Sequence, residues 1–423
     1  MKIQKKTLKN GLRVIALPMK DSPTATVLVM VEAGSKYEEK KESGISHFLE
    51  HMCFKGTERR TKSIDISHEL DAVGAVNNAF TSQEFTGYYA KAHAKHVDTL
   101  FDVISDLYLN PTFPTADLEK EKGVIIEEMN MYEDLPQRLV YDEFMTLLYG
   151  DQPAGRTILG DREVIKNATR ETFISYRNKH YVPSATILLV SGNIEPAKIF
   201  KAAEKTFGIL ESRPKTSKKK VKDTQTSPVL RFRQKTTDQA HLILGIRTFG
   251  VGNKQSSTLD VLHAVLGEGM SSRLFQKIRE DLGVAYYVRS NAEYFTDHGF
   301  LAAAAGVDKK RTTEAVAAIL GEWKKLTIEH VTERELQKAK ESLLGGLVMG
   351  LESSDAVAEY AGLQEILKHT IETPKEYEKK IRAVTANDVK KLAQKIFIDK
   401  NLNLAIVGSL ENEAKLKKVL TFK

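Results

Sequence analysis

The sequence predicts an α+β protein built from two copies of one unit. Three observations lead to that reading. At 423 residues the chain is long for a single core and suggests two domains. Short apolar runs of strand character alternate with stretches of helical period along its length. And NATRETFISYRNKHYVPSATILLVSGNI (167–194) aligns without gaps on AVTANDVKKLAQKIFIDKNLNLAIVGSL (383–410). Thr169 falls on Thr385 as a helix cap, Tyr181 on Phe397, Leu189 on Ala405, Val190 on Ile406 and Gly192 on Gly408. Both segments read helix, connection, strand, glycine, which is the pattern of an internal repeat.

Residues 12–33 carry two apolar runs, LRVIAL and ATVLVMVEA, around the turn-like KDSPT, and read as two strands. A helix follows over HFLEH, with Ser43-Gly44-Ile45-Ser46 supplying cap residues just before His47. A second amphipathic helix over 63–73 is stopped by Gly74, and Val76–Ala90, β-branched and aromatic with turn formers in its middle, reads as a hairpin. Helices are expected over KAHAKHVDTLFDVISDLYL, over Thr115–Asp134 with Thr115 as cap, and over 138–149 and 161–181. A strand is expected at 185–192. His68, His93 and His96 are read as surface residues. Arg213–Lys222, RPKTSKKKVK, turns polar and basic and marks the expected linker. The predicted partition is therefore a domain at 1–212, a linker at 213–228 and a second domain at 229–423. In the second copy, HLILGIRTFG (241–250) matches the strand before the HFLEH helix. The helix after it, TLDVLHAVLGEG, has no HxxEH.

Composition narrows the possible functions. Hydrophobic residues at 41% and charged residues at 28% are ordinary for a globular protein. A net charge of +7 is mild at this length, and no Arg-rich arm or nucleic-acid motif accompanies it, so no nucleic-acid partner is expected. One cysteine rules out an intrachain disulfide framework and fits a reducing compartment. No stretch reads as a signal peptide or as an apolar membrane span, so a cytoplasmic protein with no membrane partner is expected.

The chemistry concentrates in His47-Phe48-Leu49-Glu50-His51. Histidines four residues apart stack on one face of a helix, and a pair at that spacing can grip one zinc ion from one side. Glu50, just before His51, can reach a water held by such an ion. This is the inverted zincin pattern HxxEH, in which the glutamate is general base and not ligand. A catalytic zinc site needs one more protein ligand and an open position. The segment TADLEKEKGVIIEEMNMYED (115–134) is the best supplier. Glu121 and Glu128 are two helical turns apart and share a face with Val124 and Ile125, while Glu127 points about 100° away from Glu128. Periodicity does not choose between Glu127 and Glu128. Cys53 lies on another face of the motif helix and is expected to be buried and inert.

HFLEHMCFKGT followed by EKGVIIEEMNMYEDLP resembles the pitrilysin or insulinase family of zinc peptidases, on the branch of mitochondrial processing peptidase and its bacterial relatives. The resemblance spans nearly the whole chain and both halves. It implies two homologous domains, each a mainly antiparallel sheet packed with helices and forming half of a clamshell chamber. It implies one Zn2+ per chain on His47, His51 and Glu128, with Glu50 as base and Glu121 as supporting acid. It also implies that Asn78, Ala79 and Phe80 form the edge strand on which an extended peptide pairs through backbone atoms. In MSSRLFQKIREDLGVAYYV (270–288), Arg279 and Tyr286 correspond to the family's arginine and tyrosine that reach the substrate near the scissile bond. A guanidinium or phenol can donate to the oxyanion of a tetrahedral intermediate. Relatives build a closed chamber from two chains, the arginine and tyrosine coming from the partner. The expectation is thus a zinc endopeptidase acting on extended or unfolded peptides as a homodimer. The alternatives are a heterodimer with a paralogue that lacks the motif, or a non-catalytic subunit of a larger complex.

Overall fold

The computed structural model describes residues 2–409 and 413–422. Leu410, the last position of the second repeat copy, lies outside the described residues. The chain forms two compact units, and neither is continuous in sequence. The first comprises Met1–Met129, Arg156–Lys219 and Met349–Glu372; the second comprises Asn130–Gly155, Lys220–Val348 and Thr373–Lys423.

The sheet of the first unit has six strands: β1 (Gln4–Thr7), β2 (Arg13–Pro18), β3 (Thr24–Val31), β4 (Val76–Thr81), β5 (Thr86–His93) and β6 (Thr186–Gly192), in the order β1-β2-β6-β3-β5-β4. Only β2 and β6 run parallel. Both β2 and β6 are buried at nearly every position, because helices cover both faces of the sheet. One face carries the helix Val97–Leu109, packed on β3 and β5. The other carries the helix Ser354–Lys368, whose Val357, Ala358, Ala361 and Ile366 meet Ile15, Leu28, Met30 and Leu189. Gly362 lets that helix come close, since a Cβ there would lie 2.5 Å from Met30 Sδ.

The second sheet has five strands: β7 (Val229–Gln234), β8 (Gln239–Thr248), β9 (Ala285–Tyr294), β10 (Gly299–Asp308) and β11 (Leu402–Gly408), in the order β7-β11-β8-β10-β9. Position by position it repeats the first sheet without β1, and again a single neighbouring pair, β7 with β11, is parallel. The repeat therefore extends from local pattern to topology. Thr169 and Thr385 both cap helices, accepting from the N–H groups of Thr172 and Asp388, and both helices lead into the corresponding strands β6 and β11. Helices Ser256–Gly267, Thr312–Ile328 and Ala386–Ile396 pack on one face around Trp323. Helix Pro136–Tyr149 packs on the other, setting Phe144 against Phe300 with ring centroids 5.4 Å apart.

This arrangement differs from the contiguous partition 1–212 and 229–423. A sheet buried on both faces needs a second helical cover, and each sheet receives its cover from the other half of the chain. Segment 213–228 has no regular secondary structure, as expected of a linker, and the division between units falls within it at Lys219/Lys220. It is not merely solvated. Lys215 Nζ pairs with Glu32 at 2.7 Å, and Lys218 Nζ lies 3.5 Å from the buried Glu84.

Strand β10 is absent from the sequence reading. Its run GFLAAAAGVD has helix-forming alanines, yet it sits between β8 and β9, where small side chains fit and tertiary pairing overrides local propensity. Strands β1, β7 and β9 also escape the sequence reading. Thr115 is the first residue of its helix, not its cap; the Pro114 carbonyl accepts from the N–H groups of Asp117 and Leu118. Among the described residues no helix is long and apolar enough to cross a membrane.

Candidate active site

The motif helix spans Ile45–Cys53 and is buried almost throughout, with Phe48 edge-on to Phe173 at 4.8 Å. Its first turn is fixed from outside. Glu38 Oε2 accepts from Gly44 N at 2.8 Å, and Oε1 accepts from Ser46 N at 2.7 Å. Burial pushes the Glu38 carboxyl up to about 7, against the opposing pull of those N–H groups.

One turn apart, His47 and His51 place their ring centroids 4.6 Å from each other. The acidic helix Thr115–Asp134 runs past them. Glu128 Oε2 lies 3.7 Å from His47 Nε2 and 3.8 Å from His51 Nε2, and the three donor atoms fall within 4.8 Å of one another. These separations are too long for hydrogen bonds. A tetrahedral zinc ion with bonds of about 2.0–2.1 Å needs donors roughly 3.3 Å apart, so the three groups fit a common ion with little adjustment. Glu127 is exposed on the same helix, and of the two residues that periodicity left open it is Glu128 whose carboxylate lies beside the histidines. Val124, expected on the shared face, is exposed, whereas Ile125 and Glu121 are buried.

Glu121 lies two turns before Glu128 and bridges two side chains of the motif segment. Its Oε1 meets His51 Nδ1 at 2.8 Å and its Oε2 meets Lys55 Nζ at 2.6 Å. Burial raises the Glu121 carboxyl, but these two hydrogen bonds outweigh it and leave it below the ordinary range. A carboxylate on Nδ1 leaves Nε2 of His51 free to face Glu128. Burial, then the neighbouring His51, depresses His47 to about 3, so this imidazole is neutral and able to ligate at any ordinary pH.

Glu50 accepts a 2.6 Å hydrogen bond from Thr81 Oγ1, at the end of β4. Burial raises its pKa, the Thr81 bond and His51 lower it, and Glu128 adds to the rise. A carboxylate with a raised pKa beside a cluster that could hold a metal ion is suited to take up and return a proton. Cys53 is buried at 3.6 Å from the Tyr88 hydroxyl, and burial pushes its thiol up to about 12, so it stays protonated.

Asn78, Ala79 and Phe80 lie in β4, the outer strand of the first sheet, paired on one side with Tyr89, Tyr88 and Gly87. The Ala79 N–H is taken by Asn78 Oδ1 at 2.9 Å rather than by β5, so it faces the open edge. Arg279 and Tyr286 belong to the second unit. Arg279 lies in a π-helical turn (Phe275–Asp281) and its guanidinium is 5.8 Å from the Tyr286 ring centroid; Tyr286, on the outer strand β9, is 74% exposed. Sequence reasoning missed Glu38, Lys55 and Thr81. Lys55 stands in the quoted HFLEHMCFKGT and Thr81 directly follows Phe80, but no spacing rule attaches either to the site. Glu38 carries no signal at all.

Comparison with known proteins adds an independent line. Residues 13–162 match the family described as Insulinase (Peptidase family M16), and residues 167–343 match the Peptidase M16 inactive domain. An uncharacterized zinc protease of Bacillus subtilis (strain 168) is 35% identical over 413 residues, covering 97% of this chain and 99% of that one. An uncharacterized zinc protease of Mycobacterium tuberculosis (strain ATCC 25618 / H37Rv) is 33% identical over 412 residues, covering 95% and 92%. Among solved structures, a protease from Helicobacter pylori superposes with a TM-score of 0.89 at 24% identity, over 96% of this chain and 99% of that one. That likeness is one of fold.

Proposed function

Since the chain belongs to the insulinase family of peptidases (peptidase family M16), we propose that it is a zinc-dependent endopeptidase that cleaves extended peptides or unfolded protein segments. The observation that carries this reading is the convergence of His47, His51 and Glu128 within 4.8 Å, with Glu50 beside them on the same helix.

One Zn2+ per chain, held by those three residues, would lower the pKa of a water and polarise the scissile carbonyl. Glu50 takes the proton of the attacking water and passes it to the leaving amine. Thr81 orients the Glu50 carboxylate, and Glu121 orients His51. The open edge of β4 at Asn78–Phe80 aligns the peptide through its backbone, which gives affinity without strict sequence preference. Arg279 and Tyr286 donate to the oxyanion that develops on the carbonyl.

Tyr286 is largely solvent-facing, which suits a side chain that completes a site in another subunit. The proposal therefore includes a homodimer in which each site takes Arg279 and Tyr286 from the partner. A monomer by light scattering that cleaves peptides at full rate would remove this part. The buried, single cysteine accords with a reducing compartment such as the cytoplasm.

The test is cleavage of an unstructured peptide mixture by the wild type and by Glu50→Gln, with bound zinc quantified in both. Glutamine keeps the volume and the ligands but cannot accept the proton. Equal zinc content and a fall in kcat of about 10²–10⁴-fold are expected. Cleavage at equal rates would overturn the role of Glu50. Zinc without cleavage by either protein would turn the reading to a subunit that needs a paralogue. Absence of zinc in both would leave the non-catalytic subunit as the better reading.

A further inference from the structure

His47 and His51 are held by different means. The ring of His51 is fixed by its Nδ1 contact to Glu121 at 2.8 Å. His47 Nδ1 is buried and has no hydrogen-bond partner among the described residues. Its direction therefore follows from where the helix backbone begins and how its first turn is packed.

The beginning of that helix is unusual. Gly44 occupies the N-cap with φ 99°, in the left-handed region. A Cβ at this position would lie 2.4 Å from the Leu159 carbonyl oxygen, so none of the ordinary capping side chains fits there. The helix would then start with unpaired N–H groups in a buried setting, each at a cost in stability. Glu38 removes that cost from six and eight residues upstream. Both of its oxygens are engaged, by Gly44 N and Ser46 N, and the residue is 3% exposed. A carboxylate is also the group that a helix N-terminus attracts. Ser46, the residue before His47, is tied a second time through its hydroxyl to Tyr176 at 2.7 Å. The backbone on which His47 stands is thereby held at two points within one residue of it.

We infer that Glu38 is the positioning residue of His47: it pins the first turn of the motif helix and so sets the direction of the His47 ring, without touching metal or substrate. This rests on the reading of His47 as a zinc ligand. A Glu38 that served only global stability would change the melting temperature and leave the site's metal affinity and ligand geometry alone.

The experiment strips the full-length protein of metal and titrates it with Zn2+ against a chromophoric chelator, then with Co2+ to record the visible d–d bands. Glu38→Gln keeps the side-chain volume but has one acceptor oxygen in place of two, so one N–H loses its partner. Folded Glu38→Gln is expected to bind Zn2+ about tenfold more weakly, with shifted Co2+ bands and a lowered kcat at unchanged KM. Wild-type Zn2+ affinity and Co2+ bands in the folded variant would overturn the inference. Should Glu38→Gln fail to fold, Glu38→Asp decides. It keeps both acceptor oxygens but withdraws them from Gly44 N and Ser46 N by one methylene, and is expected to weaken Zn2+ binding about threefold; unchanged affinity would overturn the inference. A wild type without affinity for Zn2+ would remove the peptidase reading and this inference together. A wild type that binds Zn2+, beside an unaffected Glu38→Gln, would remove the inference alone.

Discussion

Glu121 touches both His51 Nδ1 and Lys55 Nζ, and it is the better placed of the buried acids to act on the site from behind. Replacing it by glutamine leaves an amide that can still accept from one partner but no longer carries the charge that makes the His51 ring a stronger donor. Zn2+ affinity is expected to fall about 10–100-fold in Glu121→Gln, measured by competition with a chelator of known affinity. An affinity within twofold of wild type would mean that the His51 ring is set by packing instead. In the second unit, His263 offers a cleaner linkage experiment. Burial depresses it to about 4, with Nδ1 unpaired among the described residues. Because its folded pKa lies below the unfolded value, the stability it permits is present above about 6.5 and is lost as pH falls toward 4. Between pH 7 and pH 5 this one residue should account for about 1–2 kcal/mol of lost stability. In His263→Leu the fall in urea-unfolding free energy over that interval should be smaller by that amount. An identical fall would show that the ring becomes protonated without unfolding.

At the scale of elements, the outer strand β4 shows how an exposed edge is kept quiet while remaining usable. The outward N–H of Ala79 is covered by the short side chain of Asn78, a contact that an incoming peptide carbonyl can displace. Ala79→Pro deletes that N–H and nothing of the ladder to β5, and proline is tolerated on an edge strand. The variant is expected to keep its melting temperature within a few degrees while kcat/KM for peptides falls about fivefold, the value of one hydrogen bond. Unchanged kcat/KM would argue that peptides do not pair at this position. Gly44→Ala makes the opposite kind of change: a Cβ at φ 99° and 2.4 Å from a carbonyl oxygen is expected to cost about 1–3 kcal/mol by chemical denaturation. The motif helix, the acidic helix and the hairpin were legible because each carries a clear local signal: an i, i+4 pair, a two-turn spacing, an aromatic and β-branched run. Strand β10 was not, because its alanines favour a helix and only the flanking strands β8 and β9 make it extended.

At the scale of the whole molecule, each sheet is covered on one face by a helix from the opposite half of the sequence. Helix Ser354–Lys368 is bound into the first unit by more than apolar contact. Glu365, fully buried, pairs with Arg13 at 3.0 Å and with Lys5 at 2.6 Å, and Thr26 bonds Ser354 at 2.8 Å. Chains cut at the linker into 1–212 and 229–423 would each lack one cover and expose apolar sheet surface such as Ile15, Leu28, Met30 and Leu189 in the first. Expressed alone, each half is expected to aggregate or to lack near-ultraviolet circular dichroism, and co-expression is expected to restore both solubility and signal. A soluble 1–212 with native near-ultraviolet dichroism would show that the helical cover is dispensable.

By itself the sequence determined the α+β class, the repeat, and the helix that presents His47, Glu50 and His51 on neighbouring faces, because all of these are written in short-range periodicity. Through its resemblance to a family it also pointed to Glu128, where spacing alone left Glu127 open. Tertiary structure decided the rest. It turned Glu128 rather than Glu127 to the histidines, put Glu121 between His51 and Lys55, brought Thr81 to Glu50, and supplied Glu38 as the remote cap of a helix whose own cap position admits only glycine. It also divided the chain into two interleaved units instead of two halves. The physical reason is common to all of these: hydrogen bonds between residues far apart in sequence, and the burial of both faces of a sheet, depend on where the chain returns in space, and no local period records that.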